Sequence, residues 1–258
     1  MKGENIMAKL IRTSIVALSS ILILLLYDRV HLIVAPLHLQ RTLAVTVMHV
    51  IVCLPVVIVL LFLHGRKDFP RSLGLDGNFV KGLAFALIST LPLFAAFPVI
   101  GEFNGELTVD KLIRSTVVAA FFEEVIFRGF IFGQLFRYCK LGFWWSVLIP
   151  SLLFGTLHLY QGNDLLSSLA AFGVTFLGGI YFSWVYVKWD FNLWFPVGLH
   201  FFMNLSWQLF TVEGNSVAAG GLASNIFRVL SVAAAVSLTA AYRYRAGKRP
   251  LLLTTQET

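Results

Sequence analysis

The sequence predicts an all-α fold: a polytopic bundle of about eight membrane-crossing helices, both termini cytoplasmic, built as a single integral membrane domain over residues 1–258. Three observations carry this. Of 258 residues, 58% are hydrophobic and 13% charged, against about 45–50% and about 25% in soluble domains, and mean hydropathy is +0.81. The apolar residues fall into runs near the roughly 20 residues that cross a bilayer. The basic residues gather in alternate connections between those runs, as in cytoplasmic loops. That placement also argues against nucleic acid as a partner despite the net charge of +7, because no single basic patch forms. Two cysteines, Cys53 and Cys139, are too few for a disulfide scaffold, and the hydrophobicity excludes disorder.

The expected spans are residues 11–27, 42–63, 79–100, 112–137, 141–159, 167–187, 193–211 and 222–242. Lys9 and Arg12 open the first. It resembles a signal peptide but lacks a small-x-small cleavage site, so it is read as a retained helix. His64 to Pro70 ends the second span, and Gly101 to Glu106 ends the third. Tyr160 to Asp164 follows the fifth, and Lys188 to Asn192 separates the sixth from the seventh. Lys2, Lys9, Arg12, Arg66, Lys67, Arg71, Arg137, Lys140, Lys188, Arg243, Arg245, Lys248 and Arg249 fall on one set of loops. The other set holds Arg29 and Arg41 and is otherwise acidic or neutral, with Glu102, Glu106, Asp110, Asp164 and Glu213. Trp144, Trp145, Trp189 and Trp194, near helix ends, read as interfacial anchors.

Almost all charges lie in loops or near helix ends. The exception is Glu123, Glu124 and Arg128 inside the fourth span. A charge at a helix centre costs about 2.5–3.5 kcal/mol on the insertion scale, so three together need a reason. Glu124 and Arg128 stand four apart, share a face and can pair. Glu123 is rotated about 100° away and is free to aim elsewhere, as a general base would. The plainer alternative is an internal salt bridge that locks helix packing. His158 in the fifth span follows Phe154 by one turn, and His200 and Asn204 share a face of the seventh. Alone, each histidine reads as a packing residue. Together with the fourth-span cluster they predict a shared water-filled cavity. His158 falls near one end of its run and His200 near the opposite end of the bundle, so straight rods would put them at different depths. His31, His38 and His64 lie at expected interfaces, and His49 reads as packing. Gly129 with Gly133, and Gly178 with Gly179, read as close helix contacts. No H-E-x-x-H helix, G-x-S-x-G elbow, P-loop or dinucleotide motif is present.

In this order, Glu123-Glu124-x-x-x-Arg128, Phe154-x-x-x-His158 and His200-x-x-x-Asn204 resemble the motifs of the CAAX prenyl endopeptidase and bacteriocin-processing family of intramembrane glutamate-type proteases. Arg71 to Leu75 is similar to its entry motif, and Gly178 to Asn204 to its last block, so the family-like core covers about residues 70–211. The resemblance implies a hydrolase of peptide bonds in a membrane-associated or lipidated protein or peptide, acting in a prokaryotic plasma membrane. Carried over by position, Glu123 would activate water and Glu124 would assist, held by Arg128. His158 would orient water or peptide, with Phe154 packed beneath it. His200 and Asn204 would polarise the scissile carbonyl and stabilise the oxyanion. Glu123, His158 and His200 could instead hold zinc, but Asn204 suits an oxyanion better than a metal, so no cofactor is the favoured expectation. Two other readings remain open: a non-enzymatic immunity or partner-binding protein on the same fold, and a proton-coupled transporter, for which no inverted repeat is visible.

Overall fold

The computed structural model describes residues 6–212 and 219–248; Lys2, Glu213 and Arg249 of the charge pattern lie outside them. The described residues form eight helical rods: α1 (Ile6–Val34), α2 (Arg41–Leu73), α3 (Phe79–Ile100), α4 (109–138), α5 (Phe143–Thr156), α6 (Leu165–Lys188), α7 (Trp194–Leu209) and α8 (Leu222–Arg245). Six stretches are long and apolar enough to cross a membrane, α5 among them only together with the turn that carries it on to Gln161, and the chain is a multi-pass integral membrane protein. The other two are α4 and α7. Every spanning-length stretch of α4 contains Glu123, Glu124 and at least one further charge, and α7 has 16 residues.

Three features depart from the expected spans. The seventh ends at Leu209, and the chain passes into β2 (Phe210–Val212). This strand pairs antiparallel with β1 (Gly101–Phe103), which had been expected as a plain loop. The second rod does not end at His64–Pro70. Gly65 breaks it at φ 71°, and the helix resumes to Leu73. Trp189 and Trp194 pack inside the protein rather than anchoring at an interface: Trp189 stacks between Phe195 and Tyr242, and Trp194 Nε1 donates to Leu75 O. Trp144 and Trp145 are exposed, as anchors require.

Hydrogen bonds show that the basic connections meet at one end of the bundle. Lys9 Nζ and Arg12 Nη1 donate to Lys140 O and Tyr138 O, Arg137 Nη1 to Ser72 O, and Arg243 Nη1 to Lys188 O. At the other end, Asn104 binds Gln208 O, and Gln40 and Thr42 bind Asp110.

Through its middle, α4 is the central rod. Every residue from Glu124 to Phe136 is buried, which only an apolar helix wrapped on all sides can achieve. Much of α4 is wound as π-helix, including Val125–Phe132, a form that recurs at functional sites. Gly129 lets α4 approach α2, since an added Cβ would stand 3.0 Å from Leu73 Cδ2. Of the second glycine pair, only Gly179 is a contact, against Ser151; Gly178 faces open space.

The Arg71–Leu75 segment is a clasp. Gly74 ends α2 at φ 78°, with Gly74 N donating to Arg71 O and Leu75 N to Pro70 O, a Schellman closure. Leu73 O accepts from Tyr186 Oη, and Gly74 O accepts from Leu193 N. The clasp therefore ties α2 to the α6–α7 turn that sets the start of α7. A Cβ at Gly74 would overlap the Phe191 carbonyl oxygen, and positive φ adds strain. Gly74→Ala is expected to destabilise the protein by about 2 kcal/mol or more, read as lowered thermal stability in detergent.

Candidate active site

Six of the seven expected site residues line one cavity of about 870 Å³: Glu123, Arg128, Phe154, His158, His200 and Asn204. Glu124, fully buried, stands behind them. The central rod supplies the acids and the arginine, the end of α5 the Phe154–His158 pair, and α7 the last two.

The depth mismatch resolves through rod length. With 14 residues, α5 is about 21 Å long, short of the roughly 30 Å hydrocarbon core. Starting from the basic end, it stops inside the bundle. His158 sits just beyond its last turn rather than within the helix, level with a cavity that α7 also lines.

The geometry fixes proton positions. Glu124 Oε1 accepts from Arg128 Nη1 at 2.9 Å and from His200 Nδ1 at 2.8 Å. A carboxylate paired with a guanidinium has no hydrogen to give, so His200 carries a proton on Nδ1. Its Nε2 then points to Glu123 Oε2, 3.9 Å away. His158 Nδ1 donates to Phe154 O at 2.7 Å, again leaving Nε2 as the reactive nitrogen. Asn204 Nδ2 donates to Ser115 O at 2.8 Å, which leaves the second amide hydrogen.

The Arg128 guanidinium lies 4.7 Å from the Phe154 ring centre and 5.3 Å from that of Phe182. Such cation–π contacts contribute about 0.5–2 kcal/mol. Even so, Glu124 Oε2 and Arg128 Nη2 are buried with no hydrogen-bond partner among the described residues. Buried polar atoms left unpaired cost free energy, so this ion pair is an expensive way to lock helix packing. Among the described residues no three His, Cys, Asp or Glu side chains are disposed to hold a metal ion. The donors Glu123, His158 and His200 do not close the three-ligand set that a catalytic zinc needs.

The sequence reading missed several contributors. Phe182, which covers Arg128, carries no distinguishing mark among 24 phenylalanines. Arg228 lines the cavity from α8; it stands within two turns of the start of its expected span, where a charge carries no distinguishing mark. His49 and His64 are structural: His49 Nδ1 donates to Val45 O and its Nε2 meets Tyr27 Oη, while His64 Nε2 meets Gln134 Oε1.

Comparison with known proteins finds similarity over the segment that carries these residues. The family described as Type II CAAX prenyl endopeptidase Rce1-like matches residues 106–206. The Bacillus subtilis (strain 168) protein named "Putative membrane peptidase YdiL" is 34% identical over 93 residues, which is 36% of this chain and 34% of that protein. The match thus spans about a third of the relative's length. No solved structure gives a significant match. Every candidate site residue lies within residues 106–206, the segment of this chain that is similar to the Rce1-like family of type II CAAX prenyl endopeptidases.

Proposed function

We propose that the protein is an intramembrane endopeptidase, using a glutamate-activated water to hydrolyse a peptide bond in a membrane-associated or lipidated protein or peptide. The carrying observation is the 3.9 Å separation of Glu123 Oε2 and His200 Nε2. Two acceptors at this distance can both be bridged by the O–H groups of one water, whose lone pair is then left for attack. Glu123 takes a proton as the oxygen bonds to the carbonyl carbon. That proton passes to the amine nitrogen as the C–N bond breaks. Glu124 and Arg128 hold the His200 ring in this tautomer, much as a buried acid orients a catalytic histidine.

In this reading neutral His200 accepts from water and does not polarise the carbonyl, a role that would need a proton on Nε2 as well. Oxyanion donation falls to the second hydrogen of Asn204. Asn204→Ala is expected to lower kcat about 10²- to 10³-fold with KM little changed. No step passes through a metal, so dialysis against a zinc chelator is expected to leave activity intact.

The positive-inside rule places the basic end in the cytoplasm, with the bilayer a prokaryotic plasma membrane and both termini cytoplasmic. The reading is tested by comparing peptide termini in membrane proteomes of cells carrying the wild-type chain or Glu123→Gln at equal protein level. A shortened terminus present only with the wild type supports it; identical terminomes sink it.

A further inference from the structure

The cavity is one-sided along the bundle. On α4 its lining runs from Ser115 to Arg128 and stops well short of Tyr138. On α6 it stops at Phe182, short of Lys188, and on α7 it runs from His200 to Gln208, away from Trp194. The end of α5 contributes Phe154 to Gln161, and the beginning of α8 contributes Asn225 to Val232. Arg128, Phe182 and His200 are thus the last lining residues on their helices before the basic end, and they form the floor.

Below that floor the bundle is filled. Phe132 stacks on Phe136 and meets the Tyr186 ring edge-on, Trp189 stacks on Phe195, and Val185, Leu193 and Leu199 are at most 1% exposed. Close-packed side chains of this kind leave no path for water. The opposite end is polar. His200, Asn204 and Gln208 recur every four residues along α7, over a rise of about 12 Å, and Ser115, Gln161 and Asn225 join them from other parts of the chain. Tyr160, also in the lining, is 81% exposed. Gln208 O accepts from Asn104 Nδ2, which sets the rim level with the β1–β2 pair, at the end whose connections are acidic or neutral.

From this polarity we propose that the catalytic cavity is reached from the extracytoplasmic side of the membrane, and that its substrate is an exported polypeptide whose scissile bond lies at that face. The positive-inside rule puts the closed, basic end in the cytoplasm. Water reaches Glu123 along the polar side chains of α7, and a peptide strand enters the same way, because its backbone amides would go unpaired in the packed half. A lipidated C-terminus on the cytoplasmic face would have to pass the aromatic plug and is not a substrate. The inference rests on the peptidase reading for the meaning of the ligand, but the access route it describes does not require cleavage.

The experiment labels single-cysteine variants, in a chain with Cys53 and Cys139 replaced by alanine, with a charged, membrane-impermeant thiol reagent in right-side-out and in inverted membrane vesicles. Val174→Cys and Gly178→Cys report on the cavity, which both positions line. Glu106→Cys and Asp68→Cys, at exposed positions, report on the outer and the basic end. Both cavity cysteines are expected to label at least about tenfold faster in right-side-out vesicles than in inverted ones, as Glu106→Cys does, while Asp68→Cys shows the reverse, because a charged reagent does not cross hydrocarbon. Every other pattern overturns the proposal: cavity cysteines that follow Asp68→Cys, that label alike from both sides or from neither, or that disagree with each other, and controls of reversed sidedness. In the membrane proteomes, cuts made only by the wild type are expected in extracytoplasmic segments, and cuts in cytoplasmic segments overturn the proposal. Outward-sided labelling alongside identical terminomes would uphold the access route and sink the peptidase reading; inward-sided labelling alongside shortened termini would do the opposite.

Discussion

Glu123→Gln is expected to reduce cleavage by about 10²- to 10⁴-fold, the range typical of losing a general base, while leaving protein level and thermal stability within error of the wild type. Glu123 is 14% exposed in its side chain, and its Oε2 stands 3.9 Å from His200 Nε2. Gln is nearly isosteric, and its carbonyl oxygen still accepts a hydrogen bond from water. What it cannot do is take the proton. The loss should therefore appear in kcat, with substrate affinity retained. A rate unchanged by the substitution would remove Glu123 from the chemistry, and the bridging-water geometry would have no consequence.

Arg128→Met carries the largest expected effect on stability. The guanidinium is 1% exposed and Glu124 is 0% exposed, so removing the cation strands a carboxylate in the core of the central rod. Breaking a buried pair in this way costs about 3–5 kcal/mol, a large part of an ordinary domain's total. Replacing both partners, Glu124→Leu with Arg128→Met, removes the stranded charge and is expected to recover most of that stability. It should not recover cleavage, because Glu124 is also the acceptor that fixes the His200 tautomer. Thermal unfolding and processing measured on the single and double variants separate the two roles. A double variant that is stable and active would show that the ion pair serves packing alone.

The legible part of the site was the part whose residue types are out of place in lipid. Glu123, Glu124 and Arg128 stand out in an apolar run, and the i, i+4 spacing foretold the Glu124–Arg128 bond. Spans were legible where an apolar run ends at polar breakers: α3 runs from Phe79 to Ile100 as expected. The remainder depended on contacts distant in sequence. The early stop of α5 and the π-winding of α4 leave no periodic mark, yet they bring His158 and His200 to one cavity. The β1–β2 pair joins three-residue segments more than 100 positions apart. Tryptophans at helix ends look alike in sequence, and only packing separates Trp189, stacked at 4.1 Å on Phe195, from the exposed Trp145.

The central claim is that a water-filled cavity reaches the middle of the bundle, where these side chains meet. Gly178 lines that cavity near the centre of α6, and a side chain added there meets nothing within 4 Å. In a chain with Cys53 and Cys139 replaced by alanine, the rate at which Gly178→Cys reacts with a charged, membrane-impermeant thiol reagent is the direct test. The matched control is Ile58→Cys, on the outer face of α2, where the native residue is 65% exposed in a position that faces lipid. Labelling of Gly178→Cys at least about tenfold faster than the control is expected, because a charged reagent is stable in a wet cavity and not in hydrocarbon. Equal, slow labelling at both positions would contradict the account.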